Sequence, residues 1–431
     1  MSAKLRIEQA LGRFNALHQN DIDLGLDRIR ALLGRLGDPH LKLPPIVHVA
    51  GTNGKGSTLA MLGAMAKAAG LRAHIHTSPH LVHLNERTVI AGTPVSDLAL
   101  ANLLEDIERV NAGTPATQFE LLTAAMFLAF ARTPADVALI EVGLGGEFDA
   151  SNVLENPALC LITPIAHDHA DYLGDDMTGI ARAKAGIIKP GAPIFSAAQN
   201  DIARDVIERA AARARAPLHI MGEDMHVRAE DGRLIYENDR QLLDLPLPRL
   251  AGAHQVQNAG LAIAAAVHLG WDHDAIAKGL ESVNWPGRLQ RLKGGPLADE
   301  ALTKGAHILV DGAHNPHAAR ALADTLVQIQ RRDPRPLVLI IGLQGTKDAM
   351  RFFEAFAALA PKAVTCVPVP DAPHPMGLDD MQEAAKAAGL NALTAPDIHI
   401  ALKNALRIEK EPRIVMSGSL YLVGAILAQN S

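Results

Sequence analysis

The residues of this chain best suited to chemistry stand together in Gly51-Thr52-Asn53-Gly54-Lys55-Gly56-Ser57-Thr58. Glycines at this density let backbone N–H groups close around phosphate oxygens, and a helix N-terminus behind them adds positive potential. Lys55 is placed to reach the outer phosphates, and Ser57 or Thr58 to put a hydroxyl on magnesium. Residues 46–49 read as a buried strand, and the LAMLGAMAKAAG that follows reads as a helix. Strand, glycine-rich turn and helix start together make a phosphate-binding loop. The loop is a variant. The usual spacing wants glycine where Val49 stands and Ser or Thr directly after the lysine, where Gly56 stands. A plain strand-to-helix turn that happens to carry a lysine is the competing explanation.

Other apolar segments end in polar residues. LRAHIHT, 71–77, runs into Ser78-Pro79-His80. VALIEV, 137–142, carries Glu141 and runs into Gly143-Leu144-Gly145-Gly146. Residues 158–165 run into His167, Asp168 and His169. In open α/β sheets ligands bind beyond the carboxyl ends of strands. A phosphate loop, a hydroxyl, a carboxylate and an imidazole therefore gather, a set that suits magnesium between protein and phosphates. Histidine is the less usual magnesium ligand, and only one of the two need serve. Taken singly, Ser78 reads as a turn or cap residue, the histidines as structural, and Lys184 as a solvated lysine on an Ala/Gly helix.

The elements that must position these groups alternate. Residues 1–45 read as one or two helices closed by Leu43-Pro44-Pro45. Helices are expected at 97–111, 120–131, 181–189, 202–215 and 257–269, and a small antiparallel piece at 218–247. After the turn Trp285-Pro286-Gly287-Arg288 a second series begins with HILVDGAHN. It continues with LVLIIG, AVTCVPV and RIVMSG as strands, and with helices at 318–331, 351–360, 380–388 and 398–407. The expected fold class is α/β: a P-loop parallel-sheet ATPase domain, 1–295, followed by a smaller Rossmann-like α/β domain, 296–431.

At 431 residues the chain is long enough for two domains. Hydrophobic residues make up 48% and charged residues 20%, ordinary for a globular enzyme. A net charge of −6 and 3% aromatics argue against nucleic acid or an anionic membrane as partner. Cys160 and Cys366 sit in apolar runs and read as buried reduced thiols. No segment has signal-peptide or membrane-spanning character, so the expected location is cytoplasmic.

In order along the chain, GTNGKGST, TSPHL with Asn85-Glu86-Arg87, EVGLGG, Asp168-His169 followed by LG, ARAKAGIIKPG, GAHQVQNA, WPGR, VDGAHNP and SGSLY resemble the folylpolyglutamate synthase and dihydrofolate synthase family. That family lies within the muramyl-type ATP-dependent ligases, and the likeness runs from about residue 46 to 424. The resemblance implies that the loop residues Gly51, Thr52, Asn53, Gly54, Lys55, Gly56, Ser57 and Thr58 bind ATP. It implies that Ser78, Glu141 and His169, with Ser57, hold magnesium, and leaves His167 structural. Lys184 matches a lysine that related ligases carbamylate, which would make it an anionic magnesium ligand and a catalytic residue beside Lys55. Asn258, Arg288 and Asp311 match nucleotide contacts, and His314 a catalytic contact from the second domain. Arg87, Phe119, Asp149 and Ala150 match the substrate side, where the pterin lies. The chain departs from the family at Thr346-Lys347-Asp348, where an Asp-Lys-Asp is common.

The implied reaction joins L-glutamate to dihydropteroate and to reduced folates through an acyl phosphate, with ATP and magnesium. A monofunctional folylpolyglutamate synthase is the alternative. Lys55 would neutralise phosphate charge, and closure of an interdomain cleft would keep water from the intermediate. The expected partners are these small molecules, with no nucleic acid or membrane, and the chain is expected to act as a monomer. A cell-wall precursor ligase would carry a nucleotide-sugar domain, for which the 50 residues before Gly51 leave no room. A P-loop kinase or GTPase switch would show the strict loop spacing and lack VDGAHNP. A non-catalytic binding module would not need Lys55, Glu141, His169 and Lys184 together.

Overall fold

The computed structural model describes residues 1–18, 23–168, 170–345 and 348–431. The chain forms two compact units. The first comprises Met1–Ile165, Asp175–Arg249 and Val256–Val283; the second comprises Ala166–Gly174, Leu250–Gln255 and Asn284–Ser431.

In the first unit the strands are β1 (Ile46–Ala50), β2 (Ala73–His76), β3 (Thr88–Ile90), β4 (Thr93–Pro94), β5 (Val137–Glu141), β6 (Leu159–Ile162), β7 (Ile194–Ser196) and β8 (Leu218–Ile220). They form one sheet in the order β4-β3-β2-β5-β1-β6-β7-β8. From β2 to β8 neighbours pair in parallel; β3 and β4 add an antiparallel edge. Every residue of β1, β5 and β6 is buried. Such continuous apolar strands are what helices on both faces of a sheet require. Val49 stands opposite both Glu141 and Leu161, so the segments leaving β1, β5 and β6 start level with one another. That register brings the phosphate loop and Glu141 to one end of the sheet.

Helices Ala3–Asn15, Asp27–Arg35, Asp97–Asn111 and Gln118–Arg132 bury their apolar stripes in one core beside β5. On the other side, helix Lys55–Ala68 meets helix His273–Ser282 closely. A Cβ on Gly279 would lie 2.5 Å from Met65 Cγ. A separate antiparallel sheet holds β9 (Met225–Glu230), β10 (Arg233–Asn238) and β11 (Leu242–Pro246). The expected antiparallel piece is therefore shorter than 218–247, because residues 218–220 extend the parallel sheet instead.

The second unit holds β12 (Gln290–Arg291), β13 (His307–Val310), β14 (Leu337–Ile341), β15 (Ala363–Cys366), β16 (Ala392–Thr394) and β17 (Arg413–Ser417), ordered β12-β13-β17-β14-β15-β16. All but β12 pair in parallel. This unit takes up the chain at Asn284, ahead of the expected boundary at 295. The reason is local: Gln290 and Arg291 pair with Val310 and Leu309.

Several helices begin upstream of their expected places: 257–269 is Ala253–His268, and 351–360 is the shorter Ala349–Glu354. The 181–189 helix is Met177–Ala185, because Asp176 caps it by accepting from the N–H groups of Thr178 and Gly179. Cys160 and Cys366 are free, buried thiols, as expected.

Candidate active site

The loop leaves β1 with Gly51 at φ 143° and reaches the helix at Gly54 with φ 94°, conformations that side chains disfavour. Space closes both positions as well. A Cβ on Gly51 would fall 1.9 Å from Thr163 Oγ1, and one on Gly54 would fall 2.3 Å from Asn258 Oδ1. The N–H groups of Thr52 and Asn53 donate to the carbonyl of Pro164 at 3.0 and 3.4 Å, tying the loop to the chain beyond β6. Asn258, 4% exposed, is thus brought against the loop.

Two lysines converge there. Lys55 Nζ donates to the carbonyls of Gly51 at 3.1 Å and Thr52 at 3.3 Å. Lys184 Nζ donates to the same Gly51 carbonyl at 3.1 Å. At 3% exposure Lys184 is not a solvated helix lysine. Two ammonium groups on one oxygen repel each other, and burial sharpens the repulsion.

Glu141 Oε1 lies 3.8 Å from Lys55 Nζ, with side-chain exposures of 6% and 15%. Its Oε2 accepts the N–H of Ser78 at 3.3 Å. Ser78 Oγ and Thr58 Oγ1 are buried without a hydrogen-bond partner among the described residues. Ser57, the other loop hydroxyl, is buried and engaged. The unpaired, buried Ser78 hydroxyl beside the buried Glu141 carboxylate fits a hard, oxygen-seeking cation such as magnesium. The expected fourth member, His169, lies outside the described residues, as do Thr346 and Lys347. Asp348 caps the helix Ala349–Glu354.

Asn85 donates to the Val95 carbonyl, and Glu86 accepts the N–H groups of Leu81, Val82 and His83. Arg87 Nε donates to His80 Nδ1 at 2.9 Å. Burial, and then the Arg87 charge, push the His80 imidazole down to about 4. Glu120 is spent on the capping box with Thr117 and on Arg28.

Phe119 is half-buried beneath Gly143, whose Cβ would fall 2.3 Å from the ring. Asp149 has a task the sequence did not disclose. Its buried carboxylate accepts the N–H groups of Gly143, Leu144 and Ser151, each at 2.9 Å, and the Ser151 hydroxyl. Burial raises its pKa against the pull of those donors. Asp149 therefore anchors the loop after β5, and Ala150 is buried beside it. Because the Ser151 hydroxyl donates to Asp149, its oxygen accepts from His48 Nε2 at 3.0 Å. Burial holds that imidazole neutral, pushing it down to about 3.

In the second unit Asp311 follows β13. Its two oxygens accept the N–H groups of Leu289 and Ala313, each at 2.8 Å. Arg288, half-buried, donates to its neighbour Gly287 at 3.0 Å and packs against Gly312. His314 Nδ1 lies 2.8 Å from the Gly312 carbonyl, and its Nε2 lies 3.4 Å from Asp168 Oδ2. The same Asp168 oxygen accepts from Asn315 Nδ2 at 2.9 Å. Asn315 Oδ1 in turn caps helix Pro316–Arg332. Asp168 and Asn315 were not singled out from the sequence. The Asn-Pro pair announces a helix start, but a contact spanning 147 positions leaves no local signal.

The Mur ligase middle domain family matches residues 49–266, and the Mur ligase glutamate ligase domain family matches 287–420. The chain is 37% identical over 323 residues to the dihydrofolate synthase/folylpolyglutamate synthase of Bacillus subtilis, covering 70% of this chain and 72% of that one. Its structure is similar to E. coli FolC in complex with DHPP and ADP, with TM-score 0.87, 29% identity, and 98% and 97% of the two chains covered. It is likewise similar to the Yersinia pestis bifunctional folylpolyglutamate synthase/dihydrofolate synthase complexed with AMPPNP and Mn ion. There the TM-score is 0.86 at 28% identity, over 98% and 97% of the chains. This chain belongs to the dihydrofolate synthase/folylpolyglutamate synthase family of Mur ligases.

Proposed function

We propose that this chain uses ATP to join L-glutamate to dihydropteroate and to reduced folates. The observation that carries the reading is the meeting of Lys55 and Lys184 on the Gly51 carbonyl beside Glu141. A carboxylate is a poor electrophile. Its oxygen attacks the γ-phosphorus of ATP, the bond to ADP breaks, and an acyl phosphate forms. The glutamate amine then adds to the acyl carbon, loses a proton, and phosphate leaves. The protein's part is positioning and charge stabilisation.

In this reading Gly51, Thr52, Asn53, Gly54, Gly56, Ser57 and Thr58 cradle the phosphates, and Lys55 neutralises their charge. Lys184 carries a carbamate: its neutral amine forms an N–C bond to carbon dioxide and loses one proton, leaving an anionic oxygen donor. Ser57, Thr58, Ser78, Glu141, His169 and the Lys184 carbamate are the candidate ligands for magnesium, which when bound supplies Lewis-acid neutralisation of phosphate oxygens. Asn258, Arg288 and Asp311 serve the nucleotide, and His314 the incoming glutamate. Arg87, Phe119, Asp149 and Ala150 line the pterin side, and Asp149 also holds the loop after β5. The first unit is thus the ATP-binding unit and the second the glutamate-ligase unit. We read the chain as a cytoplasmic monomer. Its two thiols are free, and no helix of the described residues is long and apolar enough to cross a membrane.

The test is ADP release by the purified chain with glutamate and each acceptor separately. Both acceptors should support it. Release with the reduced folate alone would leave a monofunctional folylpolyglutamate synthase, and release with neither would refute the reading.

A further inference from the structure

Helices Met177–Ala185 and Asp201–Ala214 pack side by side in the first unit and leave a groove of about 590 Å³ between them. Small-molecule sites occupy roughly 300–1,000 Å³. None of the residues assigned to the reaction lines this groove. Lys184 shares a helix with Arg182, which does line it. Two residues turn a helix by about 200°, and the Lys184 amine goes to the Gly51 carbonyl. The groove and the reacting end therefore lie on opposite faces of helix Met177–Ala185.

The longer helix supplies most of the lining at steps of three and four residues. Ile202 and Val206 come first, then Arg209 and Arg213. The groove thus has an apolar end and a basic end. Ile202 is 51% exposed, and Val206, one turn on, is half-buried. Arg209 pairs with Asp205 at 2.7 Å. Arg182 and Arg213, one from each helix, make no ion pair among the described residues. Solvated arginines are common on helix surfaces; these two line a cavity that also holds an exposed isoleucine. Asp201 stands at the apolar end, about 18 Å along the helix axis from Arg213, and would repel an anion there. Charge therefore sets which way round a ligand lies. We propose that this groove is a second binding site, for an organic anion with an apolar body and a carboxylate or phosphate head. The body covers Ile202 and Val206, and the head takes charge-assisted hydrogen bonds from Arg182 and Arg213. The site is independent of the reaction proposed above.

Calorimetric titration of the whole chain tests it, with saturating ADP and magnesium to occupy the phosphate loop and with naphthyl phosphate, naphthoate and naphthol as probes. At least one of the two anions should bind with Kd below about 1 mM, and the neutral naphthol should not. The tighter anion identifies the head group. Arg182→Ala and Arg213→Ala should each weaken its binding about tenfold, and Ile202→Ser about fivefold, with ATP turnover and the thermal midpoint held. Arg240, 86% exposed, lies outside the groove, and Arg240→Ala should bind as the wild type does. Failure of both anions to bind below that threshold would overturn the proposal, as would binding that survives both groove-arginine substitutions. So would equal binding of naphthol, or an equal loss in Arg240→Ala, which would reduce the effect to net charge.

Discussion

Two loops of this molecule are built alike and equipped differently. Each follows a buried parallel strand and leads into a helix: 51–54 after β1, and 311–315 after β13. The second loop satisfies itself. Asp311 binds two backbone N–H groups, Asn315 caps its helix, and a proline occupies the first helical position, where no N–H is needed. The first loop has glycines at positive φ, no side-chain cap on its helix, and two amines on one carbonyl. With no side chain capping the helix start, that end of the first loop differs from the capped end of the second. The shared strand-loop-helix form thus leaves cap and charge to set the two loops apart.

That contrast breaks most sharply at Lys184. Lys184→Ala should lower kcat by about 10³-fold with the fold intact, and a short added carboxylate should restore part of it. Crystallographic density for a bare ammonium group, with no rescue, would remove the carbamate. Lys55→Ala should cost about 10²–10³ in kcat, since it removes one preorganised charge from the same oxygen. Near-normal turnover in a folded variant would make the first loop no more than a turn. In the second unit, Asp168→Ala should lower kcat/KM for glutamate by about tenfold through misplacing His314, with KM for ATP held. An equal change in both constants would sharpen the contrast differently, making Asp168 a prop for the whole unit.

The smallest effect is on stability. His48 is buried neutral, so its folded pKa of about 3 lies below the ordinary 6.5. The unfolded chain binds the extra proton first. Stability from this residue is full above pH 6.5 and is lost as pH falls toward 3. At pH 5 it should cost about 2 kcal/mol. Denaturant melts of His48→Gln should be flatter with pH than those of the wild type. Parallel pH dependences would place the titration elsewhere.

Much of this was legible before the structure. The alternation of strands and helices, the loop 51–58 and Glu141 at a strand end all follow from period and punctuation within a dozen residues. Short elements left no such trace: β7 has three residues, and the β3–β4 hairpin is turned by Ala91-Gly92 between strands of three and two. The resemblance implied a substrate-side place for Asp149, and no pattern in the sequence disclosed the four donors that also surround it. Lys184 looked solvated because only folding brings its amine to Gly51, 133 positions away. Composition announces strands; it does not announce which carbonyl a lysine will find.

The central claim is that the acceptor carboxylate is activated as an acyl phosphate at the 51–58 loop. Dihydropteroate labelled with oxygen-18 in its carboxylate tests it directly. After turnover with ATP and glutamate, the released phosphate should carry one labelled oxygen from the acceptor. Unlabelled phosphate, with the label retained in full by the acceptor and product, would contradict it.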